Sequence, residues 1–69
     1  MEYVNICLNN AILATTKCID TQDKKIIKVS KQWKGKTFPD NDKLYAEDLN
    51  GYSYRRIDFC NKDLVFEKL

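Results

Sequence analysis

Residues 43–59 read KLYAEDLNGYSYRRIDF, and the Asn50-Gly51 pair within them decides the fold prediction. Asn-Gly supplies the two positive-φ residues that a two-residue type I′ hairpin turn needs. Closure by two residues places Leu49 opposite Tyr52 and predicts two antiparallel strands. On one face, the same register pairs Glu47 with Tyr54, Tyr45 with Arg56, and Lys43 with Asp58.

The competing interpretation is an α+β fold with one short helix over residues 42–49. Asp42 would be the N-cap of this helix and Asn50-Gly51 its C-cap, where these residue types are favoured. The Lys, Leu, Ala and Glu residues between the caps are also good helix formers. We prefer the hairpin because its register continues into the strand that follows.

Residues 64–69 are predicted to form this next strand, after a turn at residues 60–63. The register sets Phe59 opposite Leu64, Ile57 opposite Phe66, and Arg56 opposite Glu67. It also creates one apolar face across three strands, formed by Leu44, Ile57, Phe59, Leu64 and Phe66. Agreement of apolar and charged pairs in one register is the consistency expected of a real sheet.

The N-terminal half adds three strands to this sheet. Residues 3–8 alternate apolar and polar side chains, which is typical of a half-buried strand. Asn9-Asn10 forms a turn, and strands are predicted at 11–19 and 25–30. Residues 31–42 show no periodicity and are interpreted as an irregular loop. We therefore predict an all-β fold in a single domain over residues 1–69: a small antiparallel barrel or a strongly bent sheet of five to six strands.

Composition excludes several function classes. The 69 residues contain no apolar run long enough to span a membrane. There is no histidine, and the three cysteines, Cys7, Cys18 and Cys60, are odd in number and lie far apart. Neither a disulfide framework nor a metal site is therefore expected, and a reducing, cytoplasmic location fits best. No cofactor and no enzymatic activity are predicted, because the usual general base and a phosphate-binding glycine loop are both missing.

The outer face of the predicted hairpin is the first candidate site. It carries Tyr45, Glu47, Tyr52, Tyr54 and Arg56. Tyr and Arg are enriched in protein-binding hot spots, although a cross-strand ladder that only stabilises the sheet has the same composition. The leading hypothesis is a small non-enzymatic interaction protein that binds and modulates another protein. Ten lysines against two arginines indicate AT-rich coding, which extends the hypothesis to a phage protein directed at a host or defence protein.

The second candidate site is a lysine-rich stretch around Trp33. It consists of Lys24, Lys25, Lys28, Lys31, Trp33, Lys34 and Lys36, and residues 17–36 carry a surplus of five positive charges. Lysines around a stacking aromatic residue are typical of single-stranded nucleic-acid binding. Alternatively, Trp33 closes one end of a barrel and the lysines solvate it. A third hypothesis is a homo-oligomer, such as a homodimer, that sequesters a small anionic ligand between its subunits.

Overall fold

The structure of the protein is a computed structural model, and it describes residues 2–20, 22, 25–59 and 62–69. Within these residues the regular structure consists of β-strands alone. In chain order, the strands are β1 (Tyr3–Leu8), β2 (Ala11–Lys17), β3 (Ile26–Ser30), β4 (Gln32–Trp33), β5 (Lys36–Thr37), β6 (Tyr45–Asp48), β7 (Ser53–Asp58) and β8 (Asp63–Lys68).

Six of these strands form one antiparallel sheet in the order β2-β1-β6-β7-β8-β3, and β4 pairs with β5 in a separate hairpin. The large sheet curls into a half-barrel. Its two edges meet just beyond β2, where the Ile19 N–H donates to the Lys28 carbonyl at 2.6 Å and Asp20 bridges Lys28. The prediction of an all-β fold with a strongly bent antiparallel sheet is confirmed.

The alternative helix at residues 42–49 is wrong, because residues 45–48 form β6. Both edges of β6 are hydrogen-bonded, since Ala46 lies between Ile6 of β1 and Tyr54 of β7. Leu44 and Ala46 alternate onto the buried face of the sheet. Two neighbouring strands and a period-2 apolar pattern therefore outweigh the local helix propensity.

The core fills the inside of the curl. Alternate residues of each long strand point inward, as the period of a β-strand requires. The buried cluster contains Val4, Ile6, Ala14, Cys18, Ile27, Val29, Phe38, Leu44, Ala46, Tyr54, Leu64 and Phe66. Leu8, Trp33 and Phe59 pack against this cluster and are only partly buried.

The loop between β6 and β7 is one residue longer than predicted. The Asp48 N–H donates to the Tyr52 carbonyl at 2.9 Å, so these two residues close a loop of three residues. Gly51 adopts a φ of +89°, the left-handed conformation expected at the end of a three-residue loop. The Asp48 carboxylate holds the loop by accepting the Asn50 N–H at 2.9 Å and the Tyr52 N–H at 3.0 Å.

This longer loop shifts the hairpin register by one residue. Ala46 lies opposite Tyr54 and Tyr45 lies opposite Arg55, so the predicted pairs of Glu47 with Tyr54 and of Tyr45 with Arg56 are wrong. A shift by one residue moves side chains to the opposite face of a strand. Tyr54 consequently points into the core rather than to the outer face.

A bulge in β7 shifts the next register as well. Arg56 pairs with Phe66 and Asp58 pairs with Val65, which leaves Ile57 between them as the extra residue. The predicted pairing of Ile57 with Phe66 is wrong, and Ile57 is exposed instead of core. Glu67 lies opposite Arg55 rather than Arg56, and the two side chains form an ion pair at 3.3 Å.

The prediction of an irregular loop at residues 31–42 is also wrong in part, because this segment contains the β4–β5 hairpin. Lys34 and Gly35 both have positive φ and form its two-residue turn. Directly after β5, the Phe38 N–H donates to the Lys31 carbonyl at 2.9 Å and the Phe38 ring joins the core. The hairpin is thereby anchored to the core at Phe38 and lies beside Leu13 and Ala14 of β2.

Candidate functional site

The five residues of the predicted tyrosine face do not share one surface. Tyr45 and Glu47 lie on the outer face of β6 and are half-buried. Tyr52 is exposed and directly precedes β7, and the Lys68 ammonium lies 3.9 Å from the centroid of its ring. Tyr54 and Arg56 point to the inner side of β7, so the expectation that they lie on the open outer face is wrong.

Tyr54 has a structural position in the core. Its side chain is 3% exposed, and its hydroxyl donates to Asp48 Oδ2 at 3.2 Å. Burial, followed by this hydrogen bond and the negative charge of Asp48, raises the pKa of Tyr54 to about 12. The phenol therefore stays neutral at physiological pH and fastens β7 to the Asp48 loop.

Arg56 closes the rim of the half-barrel at the opposite end of β7. Its side chain is 15% exposed, and Nη2 donates to Asp42 Oδ1 at 2.9 Å. Asp40 lies 3.9 Å from Nη1, and the guanidinium carbon lies 5.5 Å from the centroid of the Phe59 ring. Arg56 therefore has a structural role, because its charge is already paired with carboxylates of the same chain.

The predicted lysine-rich site is divided between several surfaces. Lys24 lies outside the described residues, and Lys25 is exposed before β3. Lys28 lies within β3 and is half-buried. The Lys31 ammonium lies 5.3 Å from the centroid of the Phe59 ring, and the Lys34 ammonium lies 4.5 Å from that of Trp33.

Trp33 is neither fully core nor fully surface. Its ring packs against the buried cluster and is half-buried, and Lys34 covers one of its faces. Lys36, at the start of β5, is exposed beside it. The Lys34 side chain therefore competes with a base for that face of the ring.

The most distinctive surface feature is an apolar recess between β2 and the segment of the β4–β5 hairpin. It has a volume of about 240 Å³. It is lined by Leu13, Ala14, Trp33, Lys36, Thr37, Phe38 and Pro39. The sequence interpretation missed this site because its two walls come from β2 and from the hairpin segment, which are distant in the chain. The only local signal was the group of Trp33, Phe38 and Pro39 within a lysine-rich stretch.

A bulge in β2 lies at the wall of the recess, where Leu13 is one of the lining residues. Ile6 pairs with Ala14 and Cys7 pairs with Ile12, so Leu13 is the extra residue of β2. Ile12 is 61% exposed and Leu13 is 42% exposed. Bulges commonly re-aim side chains at sheet edges, and here the bulge places two consecutive aliphatic residues at the surface.

Cys7 and Cys18 are buried free thiols. Burial raises the pKa of Cys7, and burial with the nearby charges of Glu2 and Asp48 raises that of Cys18 to about 11. Nucleophilic reactivity requires the thiolate, so both thiols are poorly suited to catalysis. Cys60, the third predicted thiol, lies outside the described residues.

We expect Cys7 and Cys18 to react very slowly with a thiol reagent in the folded protein. At pH 8, a thiol with the Cys18 pKa is ionised in about one molecule in a thousand. The measurement is reaction with Ellman's reagent on a Cys60→Ser variant, with and without denaturant. Rapid reaction of both thiols in the folded variant would contradict the buried positions.

Among the described residues, no group of three or more Cys, Asp or Glu side chains is placed to hold a metal ion. The same residues form no helix that is long and apolar enough to cross a membrane. Comparison with protein-family models, curated proteins and solved structures gives no match to this chain. The functional proposal therefore rests on the recess and on the edge of β2 beside it.

Proposed function

We propose that this chain is a small non-enzymatic interaction protein that binds and modulates another protein. The observation that carries this proposal is the apolar recess, whose lining includes the exposed side chain of Leu13. Contiguous exposed apolar surface marks interaction sites in soluble proteins. The recess is smaller than the roughly 300–1,000 Å³ of sites for drug-sized molecules. It suits an anchoring side chain of a partner better than a whole small ligand.

The setting of this interaction is part of the proposal. Two buried free thiols, Cys7 and Cys18, fit a reducing compartment, and we propose the cytoplasm. The AT-rich composition supports a phage protein that acts on a host or defence protein. Modulation would follow from occupation of the partner's surface, since the proposal assigns no chemistry to the chain itself.

Nucleic acid is the alternative partner. One feature favours it, a recess of about 430 Å³ lined by the polar residues Ser30, Lys31, Gln32, Thr37 and Lys62. Two lysines and two hydroxyl groups in one concavity suit a phosphate group. The covered face of Trp33 weakens this alternative, because sequence-tolerant binding of single strands depends on stacking.

The proposed function is tested by affinity capture from a lysate of the source cells, followed by mass spectrometry, with and without nuclease. Wild type is compared with Leu13→Asp, which places a charge beside the recess. Ile57→Asp is the matched control, because Ile57 is also an exposed aliphatic residue at a bulge.

We expect wild type and Ile57→Asp to retain the same protein after nuclease treatment and Leu13→Asp to lose it. An apolar anchor site does not tolerate a buried, unpaired carboxylate. Loss of the captured protein on nuclease treatment would favour the nucleic-acid alternative. Equal retention by Leu13→Asp and wild type would contradict the proposed site.

A further inference from the structure

The backbone of β2 has a well-defined free edge. The Cys18 N–H donates to the Glu2 carbonyl at 3.1 Å, so residue 18 directs its hydrogen-bonding groups toward the neighbouring chain segment that continues into β1. In an antiparallel pair, this direction alternates along the strand. Thr16 and Ala14 therefore direct their backbone groups toward β1, and Thr15 and Lys17 direct theirs away from it.

Beyond the end of β2, the first backbone N–H that points away from β1 is that of Ile19, and it is already hydrogen-bonded within the fold. The Ile19 N–H donates to the Lys28 carbonyl at 2.6 Å. In the part of the chain that the structure describes, no strand lies beside the outward groups of Lys17 and Thr15. The recess lies on the same strand, since Leu13 and Ala14 of β2 belong to its lining.

We propose that β2 accepts an extended, acidic segment of a partner protein as an added strand, with one apolar side chain of that segment in the recess. This inference rests on the proposed protein-binding function and specifies its site and partner chemistry. Extended peptides bind exposed sheet edges through main-chain hydrogen bonds, and pockets for alternate side chains give specificity. The edge and the recess supply these two elements side by side.

Charge complementarity specifies the acidic character of the segment. Among the described residues, those lining the recess include Lys36 and no carboxylate. Lys34 lies in the turn of the same hairpin and is exposed. Lys17, the last residue of β2, is exposed as well. Acidic residues on either side of the apolar anchor would therefore be attracted to this rim.

A second copy of this chain fits the edge less well. The sequence of β2, AILATTK, contains one lysine and no acidic residue. Pairing of two β2 strands would bring together two edges of the same positive rim, without complementary charge. An extended partner segment with carboxylates would pair with the free backbone groups of β2 and with the positive charges beside the recess.

The test begins with a random peptide library displayed on phage and selected on the intact wild-type protein. We expect enrichment of extended sequences with one large apolar residue between Asp or Glu residues and without central proline. A synthetic peptide of the enriched sequence is then titrated against three proteins: wild type, Thr15→Ala and Thr15→Pro.

The two Thr15 variants form a matched pair. Both remove the hydroxyl that donates to Asn5 Oδ1 at 2.6 Å, but only proline also removes the outward N–H. Proline is tolerated on edge strands where the missing N–H faces away from the sheet. We expect Thr15→Ala to bind like wild type and Thr15→Pro to bind about tenfold more weakly, as loss of a main-chain hydrogen bond predicts.

Amide hydrogen exchange gives a readout that does not depend on a variant. In the free protein, the amides of Thr15 and Lys17 should exchange faster than those of Ala14 and Thr16. Addition of the peptide should slow exchange at Thr15 and Lys17 selectively. The contribution of positive charge to peptide affinity is measured by comparing Lys36→Glu with Lys43→Glu. Both substitutions change the net charge equally, but Lys43 does not line the recess.

Four results would overturn the proposal. The first is binding of the peptide without protection of Thr15 and Lys17. The second is displacement of the peptide by single-stranded DNA at physiological salt, which would assign the surface to nucleic acid. The third is a dimer that forms without peptide and is abolished by Thr15→Pro, which would assign the edge to a second copy. Loss of the cellular partner by Leu13→Asp but not by Thr15→Pro would also overturn the added strand, while leaving the protein-binding function in place.

Discussion

Replacement of Tyr54 with glutamate is expected to unfold the protein at room temperature. Tyr54 is a member of the buried cluster and lies opposite Ala46. Loss of a buried aromatic ring costs about 3–5 kcal/mol, and an unpaired buried carboxylate adds several more. The neighbouring Asp48 would repel the new charge. The total free energy of unfolding for a chain of this size is on the order of 3–10 kcal/mol, so the folded state would be lost.

Tyr52→Glu is the matched control, because Tyr52 is only two residues away and 54% exposed. We expect its free energy of unfolding to stay within about 0.5 kcal/mol of wild type, as for ordinary surface changes. The Lys68 ammonium that contacts the Tyr52 ring can pair with the new carboxylate. Far-UV circular dichroism and thermal unfolding of both variants are the measurements. A Tyr54→Glu protein as stable as Tyr52→Glu would favour the two-residue loop, with both tyrosines on an open face.

The β6–β7 hairpin shows which features of the fold local sequence signals predict and which they do not. Alternation of apolar and polar residues located the strands well, and Asn9-Asn10 and Asn50-Gly51 marked real turns. The loop length was not determined by these signals, because a glycine with positive φ suits both two-residue and three-residue hairpin loops. The Asp48 carboxylate favours the three-residue loop, because it accepts hydrogen bonds from two backbone N–H groups of that loop. One additional residue then moved Tyr54 from the predicted surface into the core.

The recess was beyond prediction for a different reason. The bulges at Leu13 and Ile57 depend on how strands pack in three dimensions, and period-2 reasoning assumes that no bulge occurs. The Lys34-Gly35 turn also gave a weak signal, because a lysine with positive φ is uncommon and costs about 1–2 kcal/mol. Without that hairpin, nothing in the sequence brings Trp33 close to Leu13. The site is thus a product of tertiary structure, although each of its residues is ordinary.

Phe38 links the hairpin to the core, and its replacement with alanine has the second large expected effect. The Phe38 side chain is 8% exposed and belongs to the same buried cluster as Ala14 and Leu44. We expect Phe38→Ala to lower the free energy of unfolding by about 3–5 kcal/mol, the range for large-to-small changes of buried aromatic residues. Lys36→Ala is the control in the same hairpin. Lys36 is exposed, and its replacement should cost less than about 0.5 kcal/mol.

Urea unfolding followed by two probes measures this effect and tests the integrity of the recess. Fluorescence of Trp33, the single tryptophan, reports on the hairpin, and far-UV circular dichroism reports mainly on the six-stranded sheet. Because hairpin and sheet share one core, both probes should give the same transition in wild type, and both should shift to lower urea in Phe38→Ala. A shift confined to the fluorescence would mean that the hairpin opens independently of the sheet. In that case, the wall formed by Trp33 and Phe38 would be assembled only on binding, and the partner would have to supply the free energy that holds it closed.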